Sequence, residues 1–142
     1  MKQIVEILAI SVTGILVGAE FAVAAFLNPI LGRLPDDERR AARADGARML
    51  GRLMPFWYFA AFALLVAVAV VADSQRRLVG TGVGLMAVAV LLSVAVLVPI
   101  NNRIAAGEVS TRLVARWDRL HRLRVAILAT LFVVLVTGAL NA

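Results

Sequence analysis

Four long, mainly apolar segments dominate this chain of 142 residues, and clusters of arginine separate them. The segments lie at about residues 4–27, 54–72, 78–100 and 123–140. A helix of about 20 apolar residues crosses the roughly 30 Å of hydrocarbon in a bilayer, so each segment is long enough to span a membrane. Hydrophobic residues make up 62% of the chain, well above the roughly 45–50% of a soluble domain. The sequence therefore predicts an all-α integral membrane four-helix bundle, built by one four-span domain of residues 1–142.

The connections between the predicted spans differ in length. Spans two and three are joined by residues 74–77, which predicts a tight hairpin. In the first long connection, Pro35 and the acidic residues after it favour a helix start. We expect an amphipathic helix over 36–53, which Pro55 separates from span two. The second long connection is expected to turn at Gly107 and to continue as helix directly into span four.

Arginine is distributed unevenly between the two ends of the predicted bundle. Of the 15 basic residues, all but Lys2, Arg76 and Arg77 lie in or beside the two long connections, which share one face. Basic flanks stay cytoplasmic. We therefore expect a multi-pass protein of the cell's inner (plasma) membrane, with both termini outside and both long connections cytoplasmic. The aromatic run at 56–59 suits the interfacial belt of such a protein.

A cleaved signal peptide is the rival interpretation of the N-terminus, with "AVAA" at 22–25 as its cleavage site. Its basic region would hold only Lys2, and its apolar stretch would contain Glu6 and Glu20. These features favour a first span over a signal peptide.

Composition also narrows the classes of function. The net charge of +6 comes from arginines beside apolar runs, so we expect contact with membrane lipids and no binding of nucleic acid. With no cysteine and one histidine, the chain lacks the usual three or four protein ligands of a metal site. No cofactor is expected, although a haem held by the single histidine stays open. Small residues on a short bundle favour close helix contact, and the sequence leaves homo-oligomerisation open.

The strongest candidate site is a stripe on the fourth span. Trp117, His121 and Arg124 are spaced at i, i+4 and i+7, which places them on one helix face. His121 is the one side chain here whose ordinary pKa permits proton exchange near neutral pH. We expect the stripe to border a pocket. The alternative is an interfacial histidine bonded to a headgroup or a backbone carbonyl.

Other polar residues lie within or at the ends of apolar runs. Glu20 lies inside span one, where an ionisable group is costly and by default faces the bundle. Glu20 is equally well explained as a functional carboxylate and as a structural link between two helices. Asn28 precedes Pro29 and Asn101 follows Pro99, at the ends of spans one and three. A helix stop is the preferred interpretation of Asn28, whereas for Asn101 a side chain that points into the bundle from the last turn of the span stays open.

A weak internal repeat accompanies these prolines. Span one ends in "FLNPILGRL" and span three in "LVPINNRIA", and a basic connection follows each. Two such halves would be parallel repeats, related by an axis along the membrane normal.

The sequences "VPINNRIA" and "RWDRLHRLR" resemble the anthrone-oxygenase-like integral membrane family. The resemblance implies a four-helix membrane bundle and a cofactor-independent oxygenase that acts on a lipophilic aromatic, anthrone- or quinol-like, with dioxygen. In such an enzyme His121 would be the base, Arg124 or Asn101 would stabilise the enolate oxygen, and Trp117 would stack on the substrate rings.

Two further roles complete this hypothesis. Glu20 would orient His121 or relay its proton, and Asn28 would help to bind substrate. Glu20 precedes Asn28 by eight residues, some 12 Å of helix, which makes contact between Glu20 and His121 doubtful. Two alternatives stay open: a non-enzymatic protein that binds or transports a lipophilic ligand in the same polar cavity, and a structural membrane subunit.

Overall fold

The computed structural model describes residues 1–71 and 76–141. Within these ranges the chain is all helical, with no strand. Its four long helices are α1 (Lys2–Leu31), α2 (Asp36–Val71), α3 (Arg77–Ala105) and α4 (Thr111–Leu140), each long and apolar enough to cross a membrane. The predicted all-α architecture with four candidate spans is therefore confirmed. The hairpin predicted at 74–77 lies partly outside the described residues.

The helices form a closed ring. Each packs against its neighbours in sequence, and α4 also packs against α1. One apolar core fills the half of the bundle that contains the chain termini, around Leu16, Leu65 and Leu131. A second core, which includes Ile104 and Leu113, lies toward the two long connections. The candidate site lies between these two cores.

The interruption predicted at Pro55 is wrong. Helix α2 is continuous over 36 residues and contains Pro55 in its interior. A proline in a helix removes one backbone hydrogen bond and costs about 3 kcal/mol. Two hydrogen bonds hold the first half of α2 against α3. The Asn101 amide donates to the Ala47 carbonyl at 2.9 Å, and Arg48 Nε donates to the Ala105 carbonyl at 3.0 Å.

Two π-helical segments interrupt α1 and α3 at corresponding places. Val23–Leu27 precedes Pro29 by two residues, and Ser93–Leu97 precedes Pro99 by the same interval. A π segment bonds each N–H one residue farther back than an α-helix does, and such segments are frequent at functional sites. The shared pattern of π segment and proline supports the internal repeat.

With these segments in place, the helix ends neither at Asn28-Pro29 nor at Pro99-Ile100-Asn101. α1 continues through Asn28 to Leu31 and α3 continues to Ala105, so the helix stop expected at Asn28 is wrong. The π segment places the Asn28 N–H on the Val23 carbonyl, one residue beyond the α-helical partner. The widened turn accommodates the proline, and the helix therefore passes through it.

The second long connection follows the prediction. Gly107 has a φ of +99°, which an L side chain rarely adopts. Ser110 then caps α4, because its hydroxyl accepts a hydrogen bond from the Leu113 N–H at 3.2 Å. The helix runs without interruption from Thr111 to Leu140.

Candidate active site

A cavity of about 300 Å³ lies between the two apolar cores and takes wall residues from all four helices. Most of its wall is apolar. The polar groups form a cluster on one side: Glu20, Tyr58, Ser93, His121 and Arg124. The second π segment contributes Ser93, Val94 and Leu97 to the wall.

Glu20 is the buried anion of this cluster, with 3% of its surface exposed. Its Oε1 accepts a hydrogen bond from the Tyr58 hydroxyl at 3.0 Å. Arg124 Nη2 lies 3.1 Å from Oε1 and 2.9 Å from Oε2. The carboxylate therefore has both a counter-charge and a neutral donor, as a buried charge requires.

His121 is also buried, with 1% of its surface exposed. Its Nε2 lies 3.0 Å from the backbone carbonyl oxygen of Glu20. Because a carbonyl oxygen only accepts hydrogen bonds, Nε2 carries the hydrogen, and Nδ1 has the lone pair in the neutral ring. Nδ1 lies 3.2 Å from Glu20 Oε2 and 3.1 Å from Arg124 Nη2. Once protonated, Nδ1 is placed to donate to the carboxylate.

The expected separation of Glu20 and His121 in depth is therefore wrong. Helix α4 begins at Thr111 and α1 ends at Leu31. Both of these helix ends face the long connections. At 1.5 Å per residue, His121 lies about 15 Å from the start of α4, and Glu20 lies about as far from the end of α1. The two residues reach the same level because both helices extend beyond the predicted spans.

The Nη2 group of Arg124 has fewer hydrogens than it has acceptors around it. Its Nη1 donates to the Ser93 hydroxyl at 2.8 Å. Its Nη2 has two hydrogens but faces three acceptors, the two Glu20 oxygens and His121 Nδ1. One of these acceptors is consequently left without a hydrogen from Nη2. The Nε–H of Arg124 is buried without a partner.

Trp117 covers one face of the imidazole. The two rings are stacked, with centroids 4.6 Å apart and planes inclined by 13°. Trp117 is 7% exposed, and its indole Nε1–H is buried without a partner. The predicted stripe of Trp117, His121 and Arg124 thus borders one cavity, and two of its residues keep a buried N–H without a partner.

A family model described as anthrone oxygenase matches residues 41–134, well over half of the chain. The chain belongs to the anthrone oxygenase family. Among curated proteins and among solved structures, the searches found no match. The match includes the α4 stripe and Asn101, whereas Glu20 and Asn28 precede it.

The two predicted asparagines have different surroundings in this anthrone oxygenase family member. Asn101 lines the cavity, although its Nδ2 is engaged with the Ala47 carbonyl. Asn28 is buried away from the cavity and accepts a hydrogen bond from Arg43 at 3.0 Å. The Asn28 amide donates to Asp118 at 3.2 Å, and Arg43 pairs with the same carboxylate at 2.9 Å. The structure thus brings five of the six predicted site residues together and leaves Asn28 in a separate network.

The sequence interpretation missed Tyr58 and Ser93. The sequence predicts that Tyr58 lies in the interfacial belt with its aromatic neighbours. In the structure Tyr58 is only 8% exposed and faces the bundle, whereas Phe56 and Phe59 are 76% and 75% exposed. The spacing of Tyr58 with the buried Ala61 and Leu65 is the available signal, because i, i+3 and i+7 share one face. Ser93 gave no signal, since one serine in an apolar helix is ordinary.

The cavity approaches the outer surface of the bundle between α2 and α3. Phe59, Val94 and Val98 line it and are also exposed on the outside, at 75%, 64% and 43%. Within residues 1–71 and 76–141, no three side chains of His, Cys, Asp or Glu are grouped as a metal site requires.

Proposed function

We propose that this member of the anthrone oxygenase family is a small membrane enzyme that oxidises a lipophilic aromatic, anthrone- or quinol-like substrate with dioxygen. One observation carries the proposal. A buried pair of carboxylate and imidazole borders an apolar cavity, and two residues of the same wall, Arg124 and Trp117, each keep one buried N–H without a partner. Such a cavity suits a mainly apolar ligand that brings its own hydrogen-bond acceptor.

The wall and the position of the cavity favour a flat, apolar substrate that arrives from the bilayer. A volume of about 300 Å³ is at the lower end of the range for small-molecule sites. The exposed side chains of Phe59, Val94 and Val98 form the thin wall between α2 and α3. We expect lateral access there, because the face is apolar.

The first chemical step is removal of a proton from the acidic carbon opposite the substrate carbonyl. His121 accepts it at Nδ1 when Arg124 Nη2 turns to the carboxylate, and the new N–H donates to Glu20. Glu20 also fixes the ring through its backbone carbonyl, so it both orients and relays. The positive charge of Arg124, which lines the cavity, stabilises the enolate oxygen.

The electron-rich enolate then reacts with dioxygen. It transfers one electron to form a radical pair, and recombination joins the carbon to oxygen as a hydroperoxide anion, which takes up the first proton. Loss of the second C–H proton breaks the O–O bond, forms the C=O bond and releases water. One anthrone and one O₂ thus give one anthraquinone and one H₂O. The dry cavity and the fixed donors serve this sequence by stabilising the anion.

The proposed location is the plasma membrane. The two long connections carry most of the arginines and, by the positive-inside rule, are cytoplasmic. Both termini are then outside, and the cavity lies on the cytoplasmic side of the bundle's centre. A tag cleaved from the C-terminus only when protease is added outside intact cells tests this topology.

Turnover by the purified protein tests the proposed function. The full chain in phosphatidylcholine nanodiscs is given anthrone in air, and oxygen uptake and anthraquinone formation are followed together. We expect His121→Gln to lower kcat by about 10²–10⁴, the usual contribution of a general base. The control is Arg119→Gln, an exposed residue on the same helix that lines neither cavity described here.

Two results would count against the enzyme. Equal turnover by the wild type and His121→Gln would remove the base from the mechanism. Saturable binding of anthrone, without oxygen uptake by the wild type, would support the non-enzymatic ligand-binding alternative instead.

A further inference from the structure

A second cavity, of about 560 Å³, lies where the two long connections meet. It shares no lining residue with the first cavity. Its wall includes the first residues of two helices, Asp36 of α2 and Thr111 of α4, together with Asn28 and Ser110. Unlike the first cavity, it is lined largely by polar and charged side chains.

Positive charge exceeds negative charge in this wall. Four arginines line it, namely Arg39, Arg40, Arg43 and Arg122, against the two carboxylates of Asp36 and Asp118. Arg39 pairs with Asp36, and Arg43 pairs with Asp118. Arg40 and Arg122 are exposed and have no ion pair within the described part of the chain. Two uncompensated guanidinium groups therefore border the cavity.

The backbone adds further positive potential. The first N–H groups of a helix lack intrahelical partners and carry partial positive charge. At the start of α4, the Ser110 hydroxyl satisfies the Leu113 N–H. The N–H groups of Thr111 and Arg112 precede it and have no carbonyl within their own helix. This end of a 30-residue helix is a suitable anion site.

A buried donor is the independent sign of a ligand. Arg43 is 8% exposed, and its Nη atoms are engaged with Asn28 and Asp118. Its Nε–H, in contrast, is buried without a partner. An unpaired buried donor costs about 1–3 kcal/mol, and a water or ion that the donor contacts is one explanation of such a group in a folded protein.

We propose that this cavity binds a phosphate group, held by Arg40 and Arg122 and by the N-terminus of α4. Guanidinium groups and helix N-termini both match the geometry and the charge of phosphate oxygens. The same chemistry is presented by the headgroup of an anionic phospholipid and by a soluble phosphate. The two sources differ in whether an acyl chain accompanies the anion.

The test compares two double variants of the full chain with the same loss of charge. R40Q/R122Q removes the two unpaired arginines from the cavity. R52Q/R119Q removes two exposed arginines that line neither cavity. Native mass spectrometry counts the phosphatidylglycerol retained from nanodiscs of equal phosphatidylglycerol and phosphatidylcholine, and calorimetry measures binding of inorganic phosphate to the delipidated protein.

We expect R40Q/R122Q to weaken binding at least about tenfold, because each lost charge-assisted hydrogen bond corresponds to about that factor. R52Q/R119Q should stay within about twofold of the wild type. Selective retention of phosphatidylglycerol without a response to inorganic phosphate identifies a lipid headgroup, and a calorimetric signal identifies a soluble anion. Equal weakening by both double variants, or no preference of the wild type for either probe, would overturn the proposal.

Discussion

The ion pair of Glu20 and Arg124 is expected to dominate the stability of the site. Glu20 and Arg124 are 3% and 8% exposed, and their closest N–O distance is 2.9 Å. Removing one partner of a buried pair leaves an uncompensated charge and costs about 3–5 kcal/mol. We therefore expect Glu20→Gln and Arg124→Met each to lower the free energy of unfolding by about that amount.

The double variant isolates the pair. Glu20→Gln/Arg124→Met removes both charges together, so its cost should fall short of the sum of the two single costs by at least about 2 kcal/mol. Reversible unfolding in mixed dodecyl maltoside and SDS micelles, followed by tryptophan fluorescence, measures all three variants. Trp117 lies next to the pair through its stacking on His121, so it reports directly on the site. Additive costs would refute the reasoning, because they would mean that the two charges do not compensate each other.

Four further substitutions test the stability of other parts of the bundle. Asp118→Asn removes the counter-charge of the buried Arg43 and should lower the free energy of unfolding by about 2 kcal/mol; in the same assay Asp45→Asn, which breaks an exposed pair, should cost under about 0.5 kcal/mol. Gly46→Ala has open space around its new Cβ and should stabilise α2 by about 1 kcal/mol. Gly51→Ala would place its Cβ 3.0 Å from the Asn101 amide, so we expect a smaller gain in the free energy of unfolding than for Gly46→Ala. Equal gains in the two variants would contradict this contact.

The spans were predictable because they depend on one property, the length of an apolar run. The continuity of α2 could not be predicted in this way. The local preference of Pro55 indicates a break, whereas the structure has one continuous helix that is in contact with α3. The π segments before Pro29 and Pro99 could not be predicted from the sequence either. A proline in an apolar run is compatible with a stop, a kink or a π segment, and tertiary packing selects among them.

The site was predictable along one helix and less so between helices. Trp117, His121 and Arg124 share a face because helical periodicity alone determines it. The contact between Glu20 and His121 depends on the relative depth of two helices, which the ends of the apolar runs misplace. Tyr58 illustrates the same difficulty, since an aromatic residue near an interface suits the belt and the bundle equally well.

Exchange of the substrate's own hydrogen tests the central claim most directly, because it isolates the base from dioxygen. Anthrone is incubated without oxygen in D₂O with the protein in nanodiscs, and deuterium at the acidic carbon is followed by NMR. We expect exchange with the wild type to be faster than in empty nanodiscs, and His121→Gln to lower the catalysed rate by a factor of about 10²–10⁴. Exchange at the rate of empty nanodiscs with the wild type, or equal exchange in both proteins, would contradict it.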